Sequence, residues 1–177
     1  ACGMIDEGMY SLISNSNLVG EWGGSCIGLL LKGEYAKVNG CKILSTHTIK
    51  GTTVRIEGHK IILSDNILTS TSRNARIIYT VGSAVTICGN ILEVLMNPDI
   101  CKSGVGVMMV NCSDTIVADN QFRNIKNCGI YSKQSRANIH NNVFRSLDLP
   151  SDFKEVMEDD LNYENRLEKG ENFFTIN

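Results

Sequence analysis

Arg55, Tyr79 and Tyr131 hold the middle of three short segments, Val54-Arg55-Ile56, Ile78-Tyr79-Thr80 and Ile130-Tyr131-Ser132, with Glu57 following the first. Side chains alternate along a strand, so middle residues with apolar leading neighbours face outward. Two further segments, Leu29-Leu30-Leu31 and Met108-Met109-Val110, extend the expected outward column to Leu30, Arg55, Tyr79, Met109 and Tyr131. The flanking column expected beside it is Lys32, Glu57, Val81, Asn111 and Lys133. Aromatic faces stack on sugar rings and a guanidinium fork binds carboxylates, so such a face can hold a saccharide. The same residues also read as a partly apolar patch that a neighbouring subunit covers, and subunit packing is the preferred reading. Glu21 beside Trp22, in the loop from Gly20 to Gly24, is the best isolated spot for a sugar contact. A plain glycine-rich connection is the blander account of it.

Bond cleavage by a glycoside hydrolase needs two carboxylates facing one cleft, roughly 5 to 9 Å apart. Glu57 is the single carboxylate in the columns placed above, and Asp65 and Asp119 fall in turns, where aspartate tolerates the bend. No catalytic residue is assigned. His47, His59 and His140 belong to different parts of the chain's repeat and share no motif. The cysteines, seven in all, contain no C-x-x-C pair and show no zinc-ligand spacing, so neither a metal site nor a cofactor is expected.

What must position these residues is a phrase written six times: an aliphatic residue, two turn-compatible residues, a small or amide residue, a variable one, and another apolar one. Examples are Leu63-Ser64-Asp65-Asn66-Ile67-Leu68, Ile87-Cys88-Gly89-Asn90-Ile91-Leu92 and Val117-Ala118-Asp119-Asn120-Gln121-Phe122. From Ile13 to Ile139 the leading residues recur every 22 to 30 positions, the spacing of solenoid coils. Glycine, asparagine and β-branched residues interrupt every window long enough for a helix. The remaining geometry is a parallel β solenoid, each coil giving two or three short strands that pair with their copies about 4.8 Å away. Gly33, Gly58 and Gly82 read as turn residues between strands.

Over about residues 8 to 147 this pattern resembles the right-handed parallel β-helix family, the pectate-lyase-like superfamily of polysaccharide lyases, glycoside hydrolases, epimerases and phage tailspikes. The resemblance rests on the recurring G-N-x-I and D-N-x-F phrases. It implies an all-β, single-stranded, right-handed parallel β-helix of about six coils. It also implies that Asn66, Asn90, Asn120 and Asn142 stack as an amide ladder inside a turn, with Ser16 and Cys41 as departures in the first two coils. A buried amide needs partners for its donors and acceptors, and an identical neighbour supplies them. A lyase of this family would use a calcium site of clustered carboxylates with a basic proton acceptor. Arg55 and Lys32 are present, but the acidic cluster is not.

The net charge of −2 and the absence of a bilayer-length apolar run give no sign of nucleic acid or of a membrane. Charge is uneven: residues 151–177 carry eight acidic and three basic side chains, leaving 11 acidic and 14 basic in the first 150. The chain therefore divides into coils over 1–147 and an acidic capping segment over 148–177. In that segment Phe153, Val156, Met157, Leu161 and Leu167 approach helical spacing behind Ser151, with Asp152 and Glu155 in the first turn, so a helical cap is expected. No comparable cap opens the chain, and coils or a partner upstream of Ala1 are expected. Cys41 replaces a ladder asparagine, which reads as a small buried thiol and favours folding in a reducing compartment, as a virion-associated protein would. The function these features imply is binding or degradation of a polysaccharide by a tailspike-like protein. A polysaccharide and further copies of the chain, as a homotrimer, are the expected partners. The alternative is a non-catalytic β-helix scaffold or protein-binding module.

Overall fold

The computed structural model describes residues 2–21, 24–46, 49–95 and 103–146, together with the strand segments 154–158, 167–169 and 173–176. The chain winds through three parallel sheets of seven strands each. Sheet A stacks Cys2–Asp6, Ser25–Leu31, Lys50–Ile56, Asn74–Thr80, Ser103–Val110, Cys128–Lys133 and Lys154–Glu158 in chain order. Sheet B stacks the three- and four-residue strands from Leu12–Ser14 to Leu167–Lys169, and sheet C the three- to five-residue strands from Asn17–Glu21 to Phe173–Ile176. Every coil thus contributes one strand to each sheet, and each strand pairs with its copy one coil on. No helix occurs among the described residues, so none is long and apolar enough to cross a membrane.

The interior is a set of aliphatic ladders. Leu29, Val54, Ile78, Val107 and Ile130 follow one another in sheet A register and are fully buried, as are Val38, Leu63, Ile87, Val117 and Ile139 in sheet B. In sheet C, Leu92 leads to Phe122 and Phe144, whose rings stack with centroids 4.6 Å apart, close to one rung of a parallel sheet. Coil-to-coil register therefore places like on like, and each apolar side chain buries itself against its own repeat.

The corner between sheets B and C carries the amides. Asn66, Asn90, Asn120 and Asn142 are at most 1 % exposed. Each of the first three donates from Nδ2 to the Oδ1 of the next at 3.0 Å. The Nδ2 groups also donate across the coil to Val38, Leu63, Ile87 and Val117 carbonyls. Cys41 continues the stack at one end, its amide N–H donating to Asn66 Oδ1 at 2.8 Å.

One expectation is corrected. The tail segments Lys154–Glu158, Leu167–Lys169 and Phe173–Ile176 are strands, not a capping helix, and each adds a rung to its sheet. Five apolar residues near helical spacing are a weak signal, whereas the last coil offers open rows of N–H and C=O groups that a strand completes. Ser151, Asp152, Phe153 and Leu161 lie outside the described residues. At the other end the first coil exposes Ile5, Met9, Tyr10, Leu12 and Val19, each at least half exposed.

Candidate functional site

Sheet A is where the chemistry-bearing residues meet. The hydrogen-bonded register runs Ile5, Leu30, Arg55, Tyr79, Met108, Tyr131. Met109, expected in this column, instead pairs with Thr80 and Ser132 and is fully buried. The flanking column likewise takes Val110 opposite Lys133 in place of Asn111. Two adjacent methionines leave the choice open to sequence reasoning; the ladder settles it, because a one-residue slip would turn the whole strand inside out.

The same register corrects the carboxylate inventory. Asp6 pairs with Leu31, so Glu7 heads the flanking column and Glu57 is not alone in it. Lys32 lies between them and bonds Glu7 at 2.9 Å, while Arg55 bonds Glu57 at 2.5 Å. The hydrogen bond that Lys32 donates to Glu7, and then the charge of that carboxylate, raise the Lys32 pKa above its ordinary value. Both carboxylates are thus engaged by cations, whereas a general acid of a glycosidase is held in an apolar pocket. The first strand's match to Leu29-Leu30-Leu31 was the missed signal: Met4-Ile5-Asp6 stands 25 residues upstream with only its leading residues apolar.

The strands of sheet A do not alternate strictly. Successive residues are buried at Thr53-Val54, Ile77-Ile78 and Gly106-Val107, and in the middle strand that buried pair separates half-buried Arg76 from half-buried Tyr79. The Arg76 guanidinium stands 5.2 Å from the Tyr79 ring centroid, and that of Arg55, one rung back, stands 5.4 Å from it. Tyr79 is therefore flanked by two cations, a favourable arrangement for the ring but one that occupies it. Beside this cluster lies a groove of about 460 Å³ lined by Lys50, Asn74, Ala75, Arg76, Gly104, Val105 and Met108. Lys50, Asn74, Arg76, Val105 and Met108 were absent from the sequence-derived site, because nothing in a one-dimensional repeat marks where the outer surface folds inward.

Arg55, Glu57, Tyr79 and Tyr131 thus share one face. Glu21 does not: it ends a sheet C strand, paired with Thr46, and is exposed. Trp22 lies outside the described residues, as does His47. His59 sits on an exposed turn with Nδ1 2.6 Å from Ser83 Oγ. His140 occupies the turn column beside the amide ladder, where its carbonyl accepts from Asp119 and Asn142.

Residues 7–173 match the family described as periplasmic copper-binding protein, NosD. The chain belongs to the NosD family. The description implies copper, which prefers converging thiolate, thioether or imidazole ligands. Among the described residues no three of histidine, cysteine, aspartate and glutamate converge on one point. The six described cysteines form no disulfide. Cys26, Cys41, Cys112 and Cys128 are buried between coils, and their thiols donate to backbone carbonyls. Burial pushes the Cys112 thiol up. These residues do not fit a copper site. Partly buried Cys88 is also raised, by burial and then by the Asp65 and Asp119 carboxylates on neighbouring turns. Its thiolate fraction at pH 8 is consequently below that of an unfolded thiol. Ellman's reagent should modify Cys88 more slowly in the native protein at pH 8, with a rate still climbing above pH 9; an early plateau would contradict this.

No curated protein sequence matches the chain. Among solved structures, this NosD-family chain is similar to the Dettilon tailspike protein (gp208), with 13% identity and a TM-score of 0.53. The match covers 87% of this chain and 40% of the tailspike. It is also similar to the alginate lyase from Paenibacillus sp. str. FPU-7, at 11% identity and a TM-score of 0.30, over 94% of this chain and 80% of the lyase. The tailspike likeness is one of fold, a parallel β-helix, and the chain spans about 40% of that protein's length.

Proposed function

We propose that this chain is a carbohydrate-binding β-helix, and that a polysaccharide lies along sheet A in contact with Arg55, Arg76, Tyr79, Met108 and Tyr131. The observation that carries this reading is the groove beside the Arg55–Tyr79–Arg76 cluster, where donors and apolar surface stand side by side on a rigid face. Resemblance to a superfamily rich in polysaccharide-acting members supports it as analogy. The engaged states of Glu7 and Glu57 favour binding without cleavage. Calorimetric titration with a panel of hexasaccharides should find at least one ligand, and Met108→Ala and Tyr79→Ala should each weaken it about tenfold. Failure of every glycan to bind, or unchanged affinity in both variants, would sink the proposal.

A second reading, in which three copies pack through the same face, is favoured by Ile5 at the head of the column, 53 % exposed. Light scattering separates the two: a stable trimer that Ile5→Lys dissociates supports packing, and a monomer leaves the face to a ligand.

A further inference from the structure

Among the described residues that line it, the groove holds two cations and no carboxylate. Lys50 and Arg76 stand on its rim, and no ion pair to either exists among the described residues. Lys50 is exposed and Arg76 half-buried. Elsewhere on the same face Lys32 meets Glu7 and Arg55 meets Glu57. The floor is apolar and small: Ala75 and Gly104 pair with each other beneath the rim, and Val105 and Met108 close the far side. Because Arg55 and Arg76 flank the Tyr79 ring, stacking of a sugar on that ring is not what the cluster offers. What the groove offers is the Arg76 guanidinium beside a strip of aliphatic surface.

We infer that the groove is an anion subsite for an acidic saccharide, in which Arg76 and Lys50 hold a uronate carboxylate while the sugar's apolar face rests on Val105 and Met108. The inference rests on the carbohydrate reading above and specifies its ligand class. A planar guanidinium presents paired donors matching the two oxygens of a carboxylate, and the ammonium adds a point charge one rung away, on Lys50, whose partner in register is Asn74. Sheet A register keeps both cations on adjacent strands, so their separation is set by the solenoid and not by loop conformation.

The test is titration of the full chain with hexamers of galacturonate, mannuronate and guluronate, each beside its methyl ester, together with maltohexaose and a heparin hexasaccharide. One free uronate should bind at least tenfold more tightly than its ester. Arg76→Gln should weaken it about tenfold and Arg76→Gln with Lys50→Gln about 100-fold, while Lys37→Gln on sheet B changes nothing. Circular dichroism and the urea midpoint should be unaltered in all three, since the replaced groups are not in the core. Neutral glycans binding as well as acidic ones would overturn the anion subsite and leave the carbohydrate reading standing. Heparin binding as tightly as any uronate, with Lys37→Gln equally damaging, would mean unselective charge attraction and would also overturn it. Absence of binding to every glycan removes both.

Discussion

Gly58→Ala is expected to prevent the solenoid from closing. A Cβ at Gly58 would lie 1.9 Å from the Gly33 carbonyl oxygen, and the same clash repeats along the column, 1.8 Å at Gly33 against Gly8 and 2.0 Å at Gly82 against Gly58. These are backbone atoms of the adjoining coil, and they cannot swing aside as a side chain would. Relief requires the coils to part by more than an ångström beside the turn. There Glu57 and Gly58 N–H groups donate to the Leu31 carbonyl at 2.8 and 3.3 Å, and His59 N–H donates to the Gly33 carbonyl at 3.3 Å. Overpacking without room to relax costs about 3 kcal/mol or more, and lost ladder bonds add to it. Urea denaturation should give a loss of roughly 4 kcal/mol, or an insoluble product. Gly24→Ala is the control, because its added Cβ meets nothing within 4 Å; its midpoint should stay within about 0.5 kcal/mol of wild type. Equal behaviour of the two variants would show that coil spacing is softer than the structure implies.

Asn90→Ala should be nearly as damaging through a different mechanism. Asn90 Oδ1 accepts from both the backbone N–H and the Nδ2 of Asn66, each at 3.0 Å. Its Nδ2 donates to the Leu63 carbonyl at 2.8 Å, the Cys88 carbonyl at 3.1 Å and Asn120 Oδ1 at 3.0 Å. Truncation orphans a buried amide N–H and severs the ladder in its middle, for a loss of about 3 kcal/mol. Asn90→Asp keeps the shape but places an acceptor where a donor faced the Leu63 carbonyl and Asn120 Oδ1. Burial would raise the introduced carboxyl's folded pKa above the unfolded value near 3.9. The sign follows: its destabilisation is fully felt at neutral pH and is relieved as pH falls through the folded pKa, because the protonated acid regains a donor. Chemical denaturation of Asn90→Asp and wild type at pH 7 and about pH 5 should show the gap narrowing at the lower pH. A gap that widens would mean that the amides are not a buried donor-acceptor chain.

The role of the glycines was legible only in part. Gly33, Gly58 and Gly82 read as turn formers, yet none has a positive φ; what excludes a side chain there is the approach of the next coil. The turn residues with left-handed backbone are instead mostly non-glycine, among them Asn15, Asp65, Asp119 and Asn141 in the corner beside the amides. Those are residues whose short polar side chains tolerate that conformation. Copper-ligand chemistry suggested by the family description finds no converging group of histidine, cysteine, aspartate and glutamate among the described residues, and packing accounts for buried Cys26, Cys41, Cys112 and Cys128.

By itself the sequence determined the architecture. A period of 22 to 30 residues, strands too short and too rich in β-branched residues for helices, and an asparagine recurring at one corner admit only stacked parallel coils. They also named the amide ladder, because a buried amide repeated at the same place has its own copy as partner. Tertiary structure alone decided which of Met108 and Met109 faces outward, that Glu7 shares a column with Glu57, that the tail pairs as strands, and that Lys50 and Arg76 rim a groove. The physical reason is common to all four. Coils differ in length by several residues, so equivalence between them is established by hydrogen-bond register in space, and concavity is a property of neighbouring strands together that no single repeat encodes.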